Sequence, residues 1–419
     1  MIAWLLISFF VLLFLGVPIA MSLGLSAMGG ILFLGGGSTV TIAQRMFEGM
    51  NSFALLAIPL YTFAGFTMSK GGISKRLMDF CYSIVGHIYG GLAHVNVLSS
   101  MIFAGISGSA VADTAGVSGM FMPEMVRKGY SKNFTVAVTA ISSTIGIIIP
   151  PSIPMVVIAG ICGISTGKLF LGGIIPGVLC GLAQMIVSYF MAKKEGVPKE
   201  PGHFTIGPVL HGLWESWPAL LMPIIIVGTI TMGIVSPTEA GVIAVVYGLF
   251  AGGIIYRELK WEDIKFAFAE TVRTSGRIFI VIGAAKLYTV MLTTAGFDKW
   301  VAKTMLGFST NPTVILIVIL LIFFIVTMFM ESIATLTLFM PILYPIALGV
   351  GINPIVLSVL ITVVIGVGLV TPPVGMCIYV ACDLMDVTVG EVFPTLVPFI
   401  AATFVCIALM VAFPQLVLL

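Results

Sequence analysis

Long apolar stretches alternate with short polar segments along almost the whole chain. A membrane-crossing helix needs about 20 consecutive apolar residues. Stretches of that kind cover 2–22, 24–42, 53–69, 134–162, 168–192, 218–235, 238–255, 277–295, 354–382 and 393–414. They run without the every-second-residue alternation that is typical of strands in a membrane barrel. The pattern predicts an all-α polytopic membrane protein.

Two further apolar stretches, 91–126 and 313–349, are interrupted in the middle by small and polar residues. We predict that each forms a re-entrant helical hairpin, which enters and leaves the membrane on the same side. Non-helical backbone at membrane depth must line a cavity or be covered by protein, because lipid offers no hydrogen bonds. The interrupted stretches are therefore the first candidates for a functional site.

The two halves of the chain repeat several landmarks in the same order. Phe121-Met122-Pro123 recurs as Phe339-Met340-Pro341, an offset of 218 in the numbering, which also sets Asp113 opposite Glu331. Pro150-Pro151 recurs as Pro372-Pro373 and Pro176 as Pro398, both at an offset of 222. We predict an internal duplication with a first repeat over 1–192, a cytoplasmic linker over 193–217 and a second repeat over 218–419. Each repeat contains a hairpin and a broken helix, the latter at 134–162 and 354–382.

The distribution of charge predicts how the repeats sit in the membrane. Five crossings per half, an odd number, would invert the second repeat relative to the first, as in many secondary transporters. With the linker in the cytoplasm, most basic residues also lie inside, as the positive-inside rule requires. These are Lys70, Lys75, Arg76, Arg127, Lys128, Lys132, Lys193, Lys194, Lys199, Arg257, Lys260, Lys265, Arg273 and Arg277. Both termini are then expected on the periplasmic side.

Composition excludes several classes of function. Hydrophobic residues make up 59% of the 419 residues and charged residues only 9%, against roughly 25% charged residues in soluble domains. A soluble enzyme is excluded, and a net charge of +2 indicates no nucleic acid or other polyanionic partner. The cysteines form no CxxC pair and are expected to be buried free thiols.

The first interruption offers oxygen ligands for a hard cation. Gly105 and Gly108 allow the backbone to leave helical geometry, Ser107 and Ser109 supply hydroxyls, and Asp113 supplies a carboxylate. Oxygen donors of this kind suit Na⁺, by extension of the rules for other hard ions. The break at 142–154 faces it with carbonyls that Pro150, Pro151 and Pro154 leave unpaired. An isolated Pro-Pro pair would indicate only a kink, but matched breaks in both halves favour two ion sites.

The few charges inside the apolar stretches are candidates for function. An acid in the bilayer costs roughly 2.5–3.5 kcal/mol on insertion scales, which applies to Asp113 and Glu331. Lys286 lies within an apolar stretch and Arg277 begins it. Each is either a ligand for an anionic substrate, a partner for one of the acids, or, for Arg277, a side chain that reaches the interface.

Other membrane functions fit less well. Gly105-Ile106-Ser107-Gly108 matches a motif of intramembrane serine proteases, but that chemistry needs a histidine base. The histidines at 87, 94, 203 and 211 all lie outside the later apolar stretches, so proteolysis is rejected. No phosphate-binding GxxxxGK[ST] motif is present for an ATP-driven pump. Paired broken hairpins favour alternating access driven by an ion gradient over an open channel.

The chain resembles the large membrane subunit of the tripartite ATP-independent periplasmic (TRAP) transporters, with the sialic acid type as the leading expectation. The resemblance spans essentially the whole chain. It is carried by Ser236-Pro-Thr-Glu-Ala-Gly241, by 46–60, by Ile149-Pro-Pro-Ser-Ile-Pro154, by Gly105-Ile-Ser-Gly-Ser109 and by Thr371-Pro-Pro-Val-Gly375.

The resemblance implies a fold and a mechanism. The fold is that of the ion-transporter superfamily, with a scaffold and a mobile domain that moves as an elevator. Two or more Na⁺ ions would drive uptake of an organic acid. In family terms the first Na⁺ site comprises Ser107, Ser109, Asp113, Ser143, Gly146 and Pro150. The second comprises Ser332, Thr335, Gly366, Gly368, Thr371 and Pro372.

The resemblance also implies partners and a substrate. A periplasmic substrate-binding protein would deliver a small anion, and a small four-helix membrane subunit, expected as a separate chain, would brace the scaffold in the bacterial inner membrane. Substrate would bind near Ser107, Ser109, Ser152 and Glu331, with Arg277 and Lys286 as further candidates. Sialic acid is the leading expectation and a C4-dicarboxylate the next. The alternative is a Na⁺/dicarboxylate symporter of the same superfamily that needs no binding protein.

Overall fold

A computed structural model describes residues 1–35, 38–197 and 204–418. Within these residues the chain forms α-helices, three short 3₁₀ segments and one π-helical segment, and no strand. The predicted all-α fold is confirmed. Seven of the described helices are long and apolar enough to cross a membrane, two of them when counted with an adjoining 3₁₀ or π-helical segment. Seven shorter helices are also apolar.

Ten of the described helices belong to the first half. They are α1 (Ile2–Phe14), α2 (Ile19–Leu34), α3 (Thr39–Met50), α4 (Ala57–Lys70), α5 (Ile73–Val85), α6 (Gly91–Ser107), α7 (Ala110–Arg127), α8 (Lys132–Ser143), α9 (Ile153–Cys162) and α10 (Thr166–Glu195). The 3₁₀ segments Phe53–Leu56 and Thr144–Ile147 precede α4 and follow α8.

Nine of the described helices belong to the second half. They are α11 (Ile206–Thr231), α12 (Pro237–Phe250), α13 (Trp261–Thr294), α14 (Phe297–Phe308), α15 (Pro312–Thr327), α16 (Ser332–Gly349), α17 (Pro354–Gly368), α18 (Met376–Met385) and α19 (Val389–Ala412). The π-helical segment Ala251–Ile255 extends α12, and a 3₁₀ segment, Pro414–Leu416, follows α19.

The helices differ from the predicted stretches near the N-terminus and around the linker. Stretch 2–22 is two helices, because Gly16 has a φ of 79° and Pro18 precedes α2 as its N-cap. Stretch 24–42 likewise divides between α2 and α3. Most of the predicted linker 193–217 is helical, since α10 continues to Glu195 and α11 begins at Ile206. Residues 198–203, with Lys199, lie outside the described part.

A helix cap and two side-chain hydrogen bonds fix the start of α12. Ser236 and Glu239 form a reciprocal capping box at the start of α12, which satisfies two amides that a helix start otherwise leaves free. The Tyr61 hydroxyl donates to the Pro237 carbonyl at 2.8 Å and Thr238 donates to the Phe53 carbonyl at 3.0 Å. The Ser-Pro-Thr-Glu motif therefore holds α12 against α4.

The two halves interlock through their broken helices. The helix after the first break, α9, packs against α16 of the second hairpin, and α18 packs against α7 and α8. At the centre, a Cβ added to Gly366 would lie 3.2 Å from the Thr144 Cβ. The breaks are thus buried inside the protein, where backbone that leaves helical geometry can still find partners.

Candidate functional site

The first hairpin turns between α6 and α7 on two residues. Gly108 has a φ of 64° and ends α6, and Ser109 begins α7 as its N-cap, accepting from the Ala112 amide at 3.4 Å. Glycine tolerates this left-handed conformation, which side chains disfavour. The turn leaves the N-terminus of α7 and the hydroxyls of Ser107 and Ser109 at one point.

Asp113 is the buried acid of this turn. It is fully buried, and its Oδ1 accepts a hydrogen bond from the Ser107 hydroxyl. The Ser107 Oγ in turn accepts from the Ser109 amide at 3.3 Å. Asp113 Oδ2 has no hydrogen-bond partner among the described residues, and it faces Gly146, where an added Cβ would collide with it. A buried carboxylate oxygen without a partner is costly, and a cation bound there would satisfy it.

The helix opposite this acid is interrupted twice over a short distance. After α8, the 3₁₀ segment Thr144–Ile147 carries Gly146 to Asp113, and Ser152 then caps α9 by accepting from the Met155 amide at 3.3 Å. The Ser143 hydroxyl donates to the Thr139 carbonyl at 2.7 Å. The Pro150 carbonyl lies on the side of Gly105. Of the six residues proposed for the first Na⁺ site, the structure gathers Ser107, Ser109, Asp113 and Gly146.

Each hairpin tip is hydrogen-bonded to the broken helix of its own half. The Ile153 amide donates to the Gly108 carbonyl at 3.2 Å, and the Val374 amide donates to the Met328 carbonyl at 3.0 Å. The acceptors Gly108 and Met328 are both C-caps of the first hairpin arm, and the donors lie at or just before the start of α9 and α18. The same backbone contact therefore closes both halves.

The second hairpin turns on a charged cap. Glu331 is the N-cap of α16, and its side chain accepts from the Ile333 amide at 2.9 Å and the Ala334 amide at 3.3 Å. The Ser332 hydroxyl donates to Glu331 Oε1 at 2.8 Å. An acid at a helix N-terminus is stabilised by the free amides and the helix dipole. This accounts structurally for the burial of part of Glu331.

The residues proposed for the second Na⁺ site are more dispersed than those of the first. The Thr335 hydroxyl donates to the Glu331 carbonyl at 3.1 Å and the Thr371 hydroxyl to the Val367 carbonyl at 2.7 Å. A Cβ on Gly368 would meet the Thr327 side chain, and Gly366 faces Thr144. Pro372 is partly exposed. No carboxylate oxygen in the described residues lies unpartnered here, in contrast to the first site.

The helix bounds change which residues of the two halves correspond. The second arms α7 and α16 both have 18 residues, and they begin at Ala110 and Ser332. Ser109 and Glu331 are then equivalent N-caps, and Asp113 corresponds to Thr335. The pairing of Asp113 with Glu331, based on the offset of one tripeptide, is therefore wrong. Only the first half carries a carboxylate at this position.

Of the remaining predicted substrate residues, Ser152 lies beside the first hairpin tip, between Pro151 and Ile153, whereas Lys286 and Arg277 lie on α13. Ser152 is fully buried and donates to the Ile147 carbonyl at 2.5 Å. Lys286 lies against α3, where its Cβ would be 2.6 Å from a Cβ at Gly49. Hydrogen bonding from Arg45 lowers the pKa of Glu48 on α3, and the charge of Lys286 adds to this shift. Arg277 is exposed on α13. The structure thus brings none of these three to Asp113.

A cluster of buried polar side chains lies next to this site and was not predicted from the sequence. Asn96, Ser100, Thr139 and Ser142 are buried and hydrogen-bonded to one another between α6 and α8. The available signal was the spacing of Thr135, Thr139 and Ser142 on one face of an otherwise apolar helix. In the described part of the chain no three His, Cys, Asp or Glu side chains form a transition-metal cluster.

The tip glycine provides a direct test of the packing. We expect Gly108→Ala to destabilise the protein by about 1–3 kcal/mol more than Gly163→Ala, because the added Cβ is overpacked. That Cβ would lie 2.7 Å from the Pro151 carbonyl oxygen, whereas Gly163, with a similar φ of 68°, has no atom within 4 Å. Thermal unfolding in detergent measures both, and equal losses would contradict the close approach.

A family model and several known relatives match nearly the whole chain. The family model described as "Tripartite ATP-independent periplasmic transporter, DctM component" matches residues 6–416. A sialic acid TRAP transporter large permease protein of Vibrio cholerae is 35% identical over 97% of this chain and 95% of its own length. A C4-dicarboxylate TRAP transporter large permease protein of Pseudomonas aeruginosa is 35% identical over 94% of this chain and 92% of its own.

A longer relative and a solved structure complete the comparison. The isethionate TRAP transporter permease protein DctMQ of Oleidesulfovibrio alaskensis is 37% identical over 94% of this chain, which spans 62% of that relative's length. The crystal structure of the Alcanivorax borkumensis YdaH transporter aligns with a TM-score of 0.60 at 13% identity. The alignment covers 90% of this chain and 88% of that one, so the two share a fold.

Proposed function

Because the chain belongs to the DctM component family of tripartite ATP-independent periplasmic transporters, we propose that it couples the entry of Na⁺ to uptake of a small organic anion. The protein is a transporter rather than an enzyme, and a multi-pass protein of the inner membrane. The observation that carries the Na⁺ proposal is the buried, half-partnered carboxylate of Asp113 at the tip of the first hairpin.

The ligand set around Asp113 supports a hard monovalent cation. Asp113 Oδ2 is unpartnered, and the Ser107 hydroxyl oxygen lies beside the carboxylate. Carboxylate, hydroxyl and carbonyl oxygens suit alkali and alkaline-earth ions rather than zinc or copper. We propose that Asp113, Ser107 and the backbone near Gly146 hold one Na⁺. A second Na⁺ near Thr335 and Thr371 would be held by neutral oxygens alone.

The matching element bounds support two inverted repeats. The helices α7 and α8 precede α16 and α17 by the same offset of 222 in the numbering, and α9 and α18 match to within one position. We propose that each half crosses the membrane an odd number of times, with both termini periplasmic and the basic loops cytoplasmic. The hairpins and broken helices would form the mobile body of an elevator, and the helices around α4, α12 and α13 its scaffold.

The two hairpin caps support different tasks for the two tips. At the N-terminus of α16 the Glu331 carboxylate accepts hydrogen bonds from the free backbone amides. At α7 the cap is the neutral Ser109, so its N-terminus can still attract a negative group. We propose that the carboxylate or sulfonate of the substrate binds near Ser109. Lys286 and Arg277 receive no support as ligands, and Glu331, whose carboxylate accepts from the amides of its own helix, would not bind the anion.

The names of the relatives support an organic acid as the class of substrate. Relatives of 35–37% identity are named for isethionate, sialic acid and C4-dicarboxylates, so similarity does not favour sialic acid over the others. As in a tripartite system, we propose that a periplasmic binding protein delivers the acid and that a small membrane subunit completes the scaffold.

Uptake is expected to depend on Na⁺ and on the membrane potential. In proteoliposomes that contain the chain, the small subunit and a binding protein, we expect uptake of labelled isethionate, sialic acid or succinate only with Na⁺ outside. Two Na⁺ with a monoanion carry one net charge, worth about 2.3 kcal/mol, or some 50-fold accumulation, per 100 mV. For the monoanions isethionate and sialic acid, collapsing the potential should therefore reduce accumulation strongly.

Two controls test the ion dependence and the need for the binding protein. Equal uptake when K⁺ replaces Na⁺ would contradict the coupling. Omitting the binding protein should abolish uptake, and undiminished uptake without it would favour the alternative of an independent Na⁺/dicarboxylate symporter.

A further inference from the structure

A seam of polar side chains runs through the interior of the first half. Asn96 donates to the Thr139 hydroxyl at 2.7 Å and accepts from the Ser142 hydroxyl at 3.1 Å, and Ser100 donates to Ser142 at 3.0 Å. These four residues are all fully buried. We call them, with Thr135 and Gln184, the polar seam.

The seam has hydrogen-bonding capacity that the protein does not use. Gln184 on α10 donates to the Ile141 carbonyl at 3.4 Å, while its carbonyl oxygen Oε1 has no partner among the described residues. Thr135 Oγ1 is likewise unpartnered, and both residues are 0% exposed. Unpartnered buried polar atoms are usually satisfied by internal water, because leaving each one dry costs about 1–3 kcal/mol.

The seam extends from the acid to the basic end of α8. Its member Thr135 lies one turn after the exposed Ser131 and Lys132 at the start of α8. Its upper member Ser142 precedes Gly146 by four residues, about 8 Å of 3₁₀ backbone, and Gly146 adjoins Asp113. The seam therefore ends one helical turn from the residue that contacts the carboxylate.

The positions equivalent to the seam are apolar in the second half, and the two buried polar residues of α17, Ser358 and Thr362, donate to carbonyls of their own helix. With the correspondence of α8 and α17, Thr135, Thr139 and Ser142 become Leu357, Ile361 and Val364. The first arm α15 is apolar at every position from 314 to 326, opposite the Asn96 and Ser100 of α6. Membrane interiors retain polar residues at a cost, and those residues mark pathways for ions and water. The half with the buried carboxylate is also the half with the seam.

We propose that the polar seam binds a file of water molecules that connects the Asp113 site to the basic end of α8, predicted to be cytoplasmic. This inference rests on the proposed function for the role of Asp113 and adds a route that the family assignment does not specify. Water in the seam lowers the barrier for a cation between Asp113 and the cytoplasm. The second-half site, where the seam-equivalent positions are Leu357, Ile361 and Val364, exchanges its ion only when the hairpin tips separate.

Thiol labelling at matched positions tests the seam without any transport. The chain is reconstituted in lipid nanodiscs as Ser142→Cys or as Val364→Cys, at positions where the native side chains are 0% and 1% exposed. Each is treated with the small cationic reagent aminoethyl methanethiosulfonate. Peptide mass spectrometry reads the mixed disulfide at that position, so the six native cysteines stay in place. We expect the thiol introduced at position 142 to react at least tenfold faster than the thiol introduced at 364.

Further variants keep the test decisive. Thr139→Cys and Ile361→Cys form a second matched pair, both fully buried, if the first variant does not fold. Adding Asn96→Leu to Ser142→Cys should close the seam and reduce the labelling rate to that of the 364 variant. Equally slow labelling within both matched pairs would overturn the water file.

The labelling outcome is independent of the proposed function. It requires no Na⁺, no substrate and no partner chain, so fast labelling with Na⁺-independent uptake would leave the seam in place and remove the coupling. Na⁺-dependent uptake with equally slow labelling would do the reverse.

Discussion

Asp113→Asn is expected to reduce Na⁺-dependent uptake about 100-fold, equivalent to about 2.7 kcal/mol of lost ion binding. The reason is that the carboxylate is the only charged group among the described residues of the first-half turn, and one of its oxygens has no protein partner. An amide of the same shape still accepts the hydrogen bond from Ser107, but it no longer offsets the dehydration of a cation.

The same substitution is not expected to unfold the protein. Removing a buried, half-satisfied charge relieves a desolvation cost, so the unfolding temperature without Na⁺ should stay the same or rise. The stabilisation that Na⁺ gives to the wild-type chain should disappear, since a ligand stabilises only the state that binds it. Thermal unfolding of the purified chain with and without Na⁺ measures this directly.

A matched control is available on the surface. Asp386 is exposed and has a φ of 52°, a left-handed conformation that asparagine also tolerates. Asp386→Asn should leave uptake and the Na⁺ response within twofold of the wild type. If Asp113→Asn behaves like this control, Asp113 is a structural acid and the first ion site must be sought elsewhere.

Gly146→Ala is expected to raise the Na⁺ concentration for half-maximal uptake about tenfold or more. The added Cβ would occupy the position of Asp113 Oδ2, so either the carboxylate rotates away or the 3₁₀ segment shifts. Overpacking of this kind costs about 1–3 kcal/mol. Cation affinity falls when this cost is relieved by moving the carboxylate out of the ion site. Na⁺ titration of uptake and of thermal stabilisation separates affinity from folding.

Two glycine variants serve as references for this change. Gly119→Ala adds a Cβ on α7 with no atom within 4 Å and should be silent. Gly368→Ala stands at the equivalent position of the second half, where the Cβ would meet Thr327 instead of a carboxylate. An Na⁺ response of Gly146→Ala that matches that of Gly119→Ala would disprove the contact between Gly146 and the acid site.

Much of the local architecture could be predicted from the order of residues. Gly105, Gly108 and the small residues around them indicate an interruption near 108, and the structure ends α6 at Ser107 and begins α7 at Ala110. The proline pairs indicate breaks, and α8 and α17 end before Pro150 and Pro372. Gly16 and Pro18 carried the same kind of signal, but the continuous hydropathy on either side concealed it.

The site itself could be predicted only in part. Ser107, Ser109 and Asp113 lie within seven residues of one another, so the left-handed turn at Gly108 places them together without help from the rest of the chain. The family resemblance implied Ser152, and a charge within an apolar stretch indicated Lys286, but neither ground reveals the partner of the side chain. The Ser152 hydroxyl donates to the Ile147 carbonyl, and Lys286 lies against α3.

The sequence by itself therefore determined the properties that depend on neighbouring residues. Hydropathy over about 20 residues sets which segments enter the membrane, glycine and proline set where helices break, and the motifs indicate the family. Tertiary structure alone decided the pairing of Asp113 with Gly146, the equivalence of Ser109 with Glu331 and the burial of the polar seam. Those features join or relate segments that are far apart along the chain. The free energy of such a contact depends on which groups share the same desolvated space, and only the folded chain specifies that.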